Sequence, residues 1–499
     1  MSAQCQTIQL LLNGEEANIT LENPTPTVLD YLRNKQRLIG TKEGCAEGDC
    51  GACTVVIGEL IKGQLQLRTV NACLLLMPML DGKAIFTVEY LRQNDGSLHP
   101  VQQAMVDHHG SQCGFCTPGF IMSLWSCYAS HQTTGTRAEL QELRSTLTGN
   151  LCRCTGYLPI LNAGLAMFDL PPVSVDIAKI TAQLQDIAIE SSQTFNGVHS
   201  SFHTPKTLSD LVDLRKEHKD ATLLAGCTDI GLWVNKQFRD LGDIIYVCEV
   251  PELKTVTTDP NVLKIGAAVS LTDAYAAVTK HYAELNEVWD RFASTPIRNS
   301  GTLGGNIANG SPIGDSMPWL IALGAMVELT GPLGARLIPL EKLYLGYMKN
   351  SMEADEIVSS VEIPLPTAEL RFRCYKLAKR HDSDISAVCA SFSIWLDGST
   401  IKRARVAYGG MAATPKRADA CETSLVGEIW NENTVRVAMQ SLNEDFTPLD
   451  DMRASASYRT KTARNLLYRF YLETRLEDPM KSHTVRVFNS TSDQCTEAL

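Results

Sequence analysis

Alternating apolar and polar residues near the start of the chain predict a small β-rich domain. Segments 7–12 and 17–21 alternate on either side of an Asn-Gly pair at 13–14, which favours a tight hairpin turn. A short helix is expected next, with Thr27 as its N-cap and Gly40 as its end. Further strands are predicted at 54–57, 64–70 and 84–88.

From about residue 99 the apolar positions recur with a helical period. Thr117 and Pro118 predict a helix start, because a capping residue is followed by proline at the first helical position. Residues 169 to about 198 contain a Pro-Pro pair and a Ser-rich stretch, and we interpret them as a connector. Helices are predicted at 100–108, 118–130, 137–147 and 159–168.

Strands and helices mix from residue 199 onward. Glycine-rich segments at 225–231 and 301–306 predict turns. A Pro-Leu-Pro boundary at 364–366 precedes a last domain, which is expected to close with a helix at 455–474 and to be followed by a polar tail.

Composition and charge narrow the class of protein. The length of 499 residues indicates roughly three or four domains. Lys plus Arg number 45 and Asp plus Glu 56, so the net charge of −11 argues against nucleic acid or an anionic membrane surface as a partner. No apolar run reaches the length of a membrane helix, and no secretory signal is visible. We therefore expect a cytoplasmic protein with reduced thiols.

The cysteines are concentrated near the start of the chain: of 16, ten precede residue 155. Metal ligation explains such crowding better than disulfides in a reducing compartment. Cys45, Cys50, Cys53 and Cys73 follow the C-x4-C-x2-C…C spacing of a plant-type [2Fe–2S] site, inside a glycine-rich loop that could wrap around a cluster. A zinc site or buried free cysteines are the alternatives, although zinc sites usually show paired C-x2-C knuckles.

A second set consists of Cys113, Cys116, Cys152 and Cys154. Both pairs lie next to predicted helix ends, so four thiols could meet at one end of a helical bundle. The C-x2-C plus C-x-C spacing alone is ambiguous between zinc and an iron–sulfur cluster. The remaining cysteines, among them Cys127, lack ligand spacing, and most of them are expected to be small buried hydrophobic residues.

Three glycine-containing segments, 223–230, 302–306 and 311–315, could expose backbone N–H groups to a pyrophosphate. They are not the G-x-G-x-x-G motif of a Rossmann fold, and glycine-rich turns are more often only turns.

Taken together, these motifs resemble the molybdenum hydroxylases. The eight cysteines resemble the ligands of that family's two iron–sulfur domains, and segments 223–230 and 304–315 resemble its flavin domain. The chain is most similar to the iron–sulfur/FAD subunit of two-subunit bacterial xanthine dehydrogenases. The resemblance implies an α+β multidomain protein: a β-grasp [2Fe–2S] ferredoxin-like domain, a four-helix [2Fe–2S] domain, an α/β FAD-binding domain of the vanillyl-alcohol-oxidase type and an α+β C-terminal flavoprotein domain. The expected ranges are 1–92, 93–169, a linker at 170–198, 199–368, 369–480 and a polar tail at 481–499.

The resemblance also implies roles for single residues. Phe292 matches an aromatic that covers the isoalloxazine ring, and Gln112 and Cys154 match residues close to the pterin of a partner's cofactor. The FAD diphosphate is expected on Leu223, Leu224, Ala225, Gly226, Cys227, Thr228, Asp229 and Ile230. Further FAD contacts are expected from Thr302, Gly304, Gly305, Asn306, Asp315, Val358 and Lys376.

The expected activity follows from the same resemblance. Electrons would pass from the molybdenum cofactor of a large molybdopterin-binding subunit through two [2Fe–2S] clusters to FAD and on to NAD, during oxidation of hypoxanthine and xanthine to urate. No catalytic residue is expected on this chain, and the assembly would be a heterotetramer of two small and two large subunits. Ser383 interrupts an acidic run in the loop at 379–384, which leaves NAD or oxygen open as acceptor. Alternatives are the equivalent subunit of another molybdenum hydroxylase, acting on an aldehyde or N-heterocycle, and a zinc-stapled interaction scaffold.

Overall fold

The computed structural model describes residues 4–5, 7–481 and 484. The chain forms two compact units. The first consists of the residues up to Pro251 together with Ser294–Gly301, and the second of Glu252–Ala293 together with the residues from Thr302 onward. Almost all of the predicted tail at 481–499 lies outside the described residues. No helix among the described residues is long and apolar enough to cross a membrane.

The bounds of the described strands and α-helices are as follows. The strands are β1 Gln4–Cys5, β2 Thr7–Leu12, β3 Glu15–Thr20, β4 Thr54–Ile61, β5 Gln64–Asn71, β6 Ala84–Phe86, β7 Gln193–Asn196, β8 Ser201–Thr204, β9 Thr222–Leu224, β10 Ile244–Tyr246, β11 Val256–Thr258, β12 Val262–Gly266, β13 Met326–Gly331, β14 Gly334–Pro339, β15 Tyr344–Gly346, β16 Lys349–Asn350, β17 Ile357–Pro364, β18 Leu370–Leu377, β19 Val388–Asp397, β20 Thr400–Gly409 and β21 Lys416–Arg417. The helices are α1 Val28–Asp30, α2 Pro100–Asp107, α3 Thr117–Thr134, α4 Leu140–Thr146, α5 Leu158–Ala166, α6 Ile177–Asp186, α7 Leu208–Glu217, α8 Ile230–Asn235, α9 Leu271–Val278, α10 Asn286–Arg291, α11 Thr295–Ser300, α12 Leu303–Asn309, α13 Ser316–Leu323, α14 Asp419–Leu425, α15 Glu432–Asp445 and α16 Ala456–Thr474.

The first unit opens with a five-stranded sheet in the order β3-β2-β6-β4-β5. The predicted hairpin is confirmed, and Asn13 and Gly14 take φ angles of 53° and 84°, as a tight turn of this type requires. Thr27 caps α1 by accepting a hydrogen bond from the Asp30 amide. The predicted helix end at Gly40 is wrong: α1 continues only as a π-turn to Lys35, after which Arg37 adopts a left-handed φ of 59°.

The helical part of the first unit contains α2 to α5, close to the predicted positions. Thr117 is not the N-cap of α3 but its first residue, and its hydroxyl pairs with that of Ser111. The segment predicted as a linker contains α6 and β7. Ile180 and Leu184, one helical turn apart on α6, belong to the same hydrophobic cluster as Trp125 of α3. The helix therefore belongs to this core, and the connector between two structural units stays a prediction.

A second sheet in the first unit has the order β1-β7-β8-β10-β9. β10 runs parallel to both β8 and β9, and α7 and α8 form the crossovers between these strands. The glycine-containing segment 225–229 leaves the carboxyl end of β9, the edge at which parallel sheets commonly bind ligands.

The second unit has two main sheets. The order β11-β12-β17-β13-β14 is antiparallel and packs on a core that includes Tyr275 and Trp319. The antiparallel order β18-β19-β20-β21 packs with α14 to α16 around Phe392 and Phe470. Sheets accompanied by helices in both units agree with the predicted α+β class.

Candidate functional site

The first set of thiols lies where a long loop meets the β4–β5 hairpin. Cys45, Cys50 and Cys53 occupy the loop before β4, and Cys73 follows β5, brought close by a hydrogen bond from the Ala72 amide to the Cys53 carbonyl of 3.2 Å. The thiols of Cys45 and Cys50 hydrogen-bond each other, as do those of Cys53 and Cys73. The structure thus brings all four predicted ligands together.

The backbone of this loop is shaped around the sulfur atoms. The amides of Cys50 and Glu47 point at the Cys45 sulfur at 3.3 and 3.4 Å. The hydrogen bond from the Cys50 thiol lowers the pKa of the Cys45 thiol to about 5, and the Cys50 amide acts in the same direction. A Cβ on Gly44 would lie 2.6 Å from the Cys50 sulfur, so only glycine fits there. Four thiols with amide donors aimed at sulfur fit the donor set of a [2Fe–2S] cluster.

The second set of thiols lies at one end of the helical part. Cys116 immediately precedes α3, and Cys152 and Cys154 lie between α4 and α5. Cys116 pairs with Cys152, and Cys113 pairs with Cys154. Burial, followed by the hydrogen bond with Cys152, raises the pKa of Cys116 to about 12. Cys113 and Cys154 are exposed, as is Gln112, so this set of thiols reaches the surface of the unit.

Direct hydrogen bonds connect the segments that carry these thiols. The amide of Leu151, adjacent to Cys152, donates to the Cys50 carbonyl at 3.0 Å. The side-chain amide of Asn235, at the end of α8, donates to the Cys73 carbonyl at 2.5 Å. Each segment is therefore linked to the next by direct hydrogen bonds within the first unit.

The first predicted flavin segment is the turn between β9 and α8. Leu223 and Leu224 end the strand and Ile230 begins the helix, with Ala225, Gly226, Cys227, Thr228 and Asp229 between them. Cys227 takes a left-handed φ of 61°. A Cβ on Gly226 would lie 1.9 Å from the Ser300 carbonyl oxygen, so the turn lies directly against another backbone segment. A tight glycine turn at the carboxyl end of a parallel strand fits a phosphate-binding role.

The second predicted flavin segment, in the second unit, is a helix start rather than the expected turn. Thr302 caps α12 by accepting from the Gly305 amide at 3.0 Å. Gly304 lies against Ala267, whose Cβ would be 2.4 Å from an added Cβ. Among the described residues, the buried Oδ1 of Asn306 has no hydrogen-bond partner. An unpaired buried acceptor is costly, so it fits a bound group that donates a hydrogen bond.

Asp315 and Lys376 form a buried ion pair. The Lys376 ammonium contacts Asp315 at 2.5 Å, the Asp384 carbonyl at 2.8 Å and the Ser386 hydroxyl at 3.0 Å. These three acceptors match the three protons of an ammonium group. The ion pair thus anchors the segment at 379–384, and a direct contact of Lys376 with FAD stays a prediction.

Phe292 is buried at the end of α10 and stacks on Tyr275, with ring centroids 5.3 Å apart. The preceding residue, Arg291, donates to the carbonyls of Lys376 at 2.7 Å and His381 at 2.9 Å. Val358 is a buried residue of β17. The segment at 379–384 is therefore held both by Lys376 and by the residue beside Phe292.

Sequence reasoning missed the asparagines that connect these elements, Asn150 and Asn235. Neither belongs to a recognisable spacing, and their partners lie many residues away in the chain. Outside the two thiol sets, Cys127, His131 and Glu142 lie together. Both ring nitrogens of His131 already have partners, Thr136 and Glu142, so the hydrogen bond of His131 with Glu142 links α3 to α4.

Comparison with known proteins adds the family. Models of a "2Fe-2S iron-sulfur cluster binding domain" and a "[2Fe-2S] binding domain" match residues 10–77 and 87–165. Models of the "FAD binding domain in molybdopterin dehydrogenase" and the "CO dehydrogenase flavoprotein C-terminal domain" match 194–366 and 373–474. The chain belongs to the molybdenum hydroxylase family. The predicted resemblance is thereby confirmed, as is the presence of two [2Fe–2S] domains and an FAD-binding domain.

Individual molybdenum hydroxylases are similar to this chain, some over most of its length and others over about half of it. Xanthine dehydrogenase of Drosophila pseudoobscura pseudoobscura is 32% identical over 539 residues, covering 95% of this chain and 40% of the relative. This chain thus spans about two fifths of that curated relative. The solved carbon monoxide dehydrogenase from Hydrogenophaga pseudoflava is 28% identical with a TM-score of 0.51, covering 54% of this chain and 94% of that one. Quinoline 2-oxidoreductase from Pseudomonas putida 86 is 25% identical with a TM-score of 0.51, covering 57% and 99%.

Proposed function

We propose that this oxidoreductase chain transfers electrons in a xanthine dehydrogenase. Electrons from the molybdopterin cofactor of a large partner subunit would pass to the [2Fe–2S] cluster held by Cys113, Cys116, Cys152 and Cys154, then to the cluster held by the first set of thiols, then to FAD and NAD. A cytoplasmic heterotetramer of two small and two large subunits is part of this proposal. The similarity to a xanthine dehydrogenase over 95% of the chain supports this choice of substrate.

The proposed order of electron transfer rests on one observation, the hydrogen bonds that connect the segments proposed to hold the cofactors. The second set of thiols is joined to the first through Leu151 and Cys50, and the first is joined to α8 through Cys73 and Asn235. Because α8 directly follows the proposed FAD turn, the first set of thiols is the one next to flavin. The exposed Cys113 and Cys154 make the second set the one that faces the partner.

The chain's own residues bind, orient and shield these groups. When bound, each cluster would carry one electron at a time, and FAD would couple these one-electron transfers to a two-electron hydride transfer with a nicotinamide. The glycine-rich loop around Cys45 directs amide N–H groups at sulfur, which favours the charged thiolate. The turn at Gly226 offers close backbone approach to a phosphate, and Phe292 restricts access to the flavin ring.

The experiment that tests the proposal is anaerobic stopped-flow reduction of the FAD-loaded chain by NADH. We expect NADH to bleach the flavin and to support dye reduction, whereas xanthine should do neither without a molybdenum-containing partner. Flavin that is bound in full but is never reduced by NADH would refute NAD as acceptor and favour oxygen or a protein. Adding the co-purified partner back to the chain should restore reduction of the flavin by xanthine.

A second candidate is the equivalent subunit of a molybdenum hydroxylase that acts on an aldehyde or another N-heterocycle. The similarity to quinoline 2-oxidoreductase favours keeping this candidate. Reduction of the assembled enzyme by quinoline or an aldehyde, but not by xanthine, would decide for it. The zinc-stapled scaffold differs in a simpler way, because zinc thiolates are colourless whereas clusters and flavin absorb visible light.

A further inference from the structure

One buried side chain connects three of the four segments that carry the two thiol sets. Asn150 is 3% exposed and lies two residues before Cys152. Its amide nitrogen donates to the Gly51 carbonyl at 3.1 Å, in the loop of the first set. Its amide oxygen accepts from the Ser123 hydroxyl at 2.6 Å, two turns into the helix that begins after Cys116.

The contact is close-packed as well as hydrogen-bonded. The Asn150 nitrogen also donates to the Thr54 hydroxyl at 3.1 Å, and that hydroxyl donates to the Gly51 carbonyl at 2.7 Å. A Cβ on Gly119 would lie 2.2 Å from the same carbonyl oxygen, so α3 has no room to slide against the loop. Donors and acceptors are thus matched in a small buried network, which makes such a network rigid.

Only a neutral amide satisfies this arrangement. Asn150 uses two donors and one acceptor at once, which a carboxylate or a hydroxyl of similar size cannot do. A leucine would have the right volume but would leave the Gly51 carbonyl and the Ser123 hydroxyl without this partner.

From these contacts we propose that Asn150 is a positioning residue that sets the separation of the two iron–sulfur centres. The inference rests on the proposed function, since it requires both thiol sets to hold clusters. Without the amide, the loop at Cys50 and the loop at Cys152 remain joined by the Leu151 bond but lose the link to α3. The separation of the centres then becomes variable.

The test is electron paramagnetic resonance of the fully reduced, cluster-loaded chain. The dipolar splitting between two reduced clusters falls with the inverse cube of their separation, so it reports geometry independently of activity. We expect Asn150→Leu to lose the resolved splitting and Ser123→Ala to broaden it. Ser126→Ala is the matched control, because Ser126 lies on the same helix and donates instead to the Leu67 carbonyl. Iron and acid-labile sulfide are measured for every variant.

The possible outcomes of this experiment can be distinguished from one another. Full iron content with wild-type splitting in Asn150→Leu and Ser123→Ala would overturn the inference. Should Asn150→Leu lose a cluster, the comparison of Ser123→Ala with Ser126→Ala decides, because Ser123→Ala removes one bond and leaves the amide in place. Identical spectra in those two variants would then overturn it as well. Wild-type protein that lacks two distinct cluster signals would instead refute the proposed function.

Discussion

Replacing Gly226 by alanine tests whether the turn after β9 holds FAD. The added Cβ would lie 1.9 Å from the Ser300 carbonyl oxygen, 2.5 Å from the Ser300 carbonyl carbon and 2.6 Å from the Gly301 Cα. All three atoms belong to backbone, so no side chain can rotate away. The turn must move outward by roughly 1 Å before the contact reaches 3.0 Å, the shortest distance that real Cβ atoms tolerate.

The free-energy cost of moving the turn can fall on the free protein or on the FAD-bound protein. Overpacking of this kind costs about 1–3 kcal/mol. Without cofactor the turn can relax outward, whereas bound FAD requires the original position. If binding bears the whole cost, the Kd for FAD rises by a factor of about 5 to 150.

The assay is a fluorescence titration of the deflavinated chain with FAD. Gly346→Ala is the control, because an added Cβ there has nothing within 4 Å and the residue has no left-handed φ. We expect wild-type affinity in this control and weakened affinity in Gly226→Ala. Equal affinities in the two variants would show that the turn does not hold the cofactor and would refute the reasoning.

Two further predictions concern the first set of thiols and the buried ion pair. Cys73→Ser should lower bound iron from about four to about two per chain and remove one of two cluster signals, whereas Cys127→Ala should retain both; equal iron contents would refute the ligand assignment. Lys376→Met leaves Asp315 buried without its cation and should lower the free energy of unfolding by about 3–5 kcal/mol in a denaturant titration. Lys402→Met, which breaks an exposed pair, should cost at most about 1 kcal/mol; similar losses in the two lysine variants would contradict the buried-pair argument.

The local sequence pattern was sufficient to predict most helices and strands, because the residues that determine each of them lie close together in the chain. The hairpin at 13–14 needs only two residues that tolerate positive φ, and both residues adopt positive φ in the structure. Helix α6 was missed because flanking proline and serine residues dominated the interpretation of the segment. Its apolar pair, Ile180 and Leu184, gains meaning only from the core that it contacts. The helix at α12 was missed for a similar reason, since its glycines suggested a turn whereas the Thr302 cap and packing on Ala267 stabilise a helix.

The candidate site likewise has parts that could be predicted from the sequence and parts that could not. The thiol spacing could be recognised in the sequence, and the structure brings together each predicted set of four. The ligand assignments themselves stay predictions, as do the FAD contacts and the domain boundaries. The positions of Asn150 and Asn235 could not be predicted, because each contacts a residue about 100 or more positions away. Such contacts depend on how complete domains pack, and no periodicity encodes them.

The recurrence of asparagine around the first set of thiols has a physical reason. A loop that turns its amides toward sulfur turns carbonyls away from it, and the neighbouring β5 is an edge strand with no strand on its outer side, so carbonyls in both places lack a strand to pair with. Buried carbonyls need donors, and a lysine or arginine would place a positive charge beside the redox centre. A side-chain amide supplies the donor without that charge. Asparagine amides donate to carbonyls in the pairs Asn71 with Gly48 at 3.0 Å, Asn150 with Gly51 at 3.1 Å, Asn235 with Cys73 at 2.5 Å and Asn299 with Thr69 at 3.0 Å. Because three of these asparagines come from outside the loop and the β4–β5 hairpin, the donors that complete the first site also fix the neighbouring segments against it.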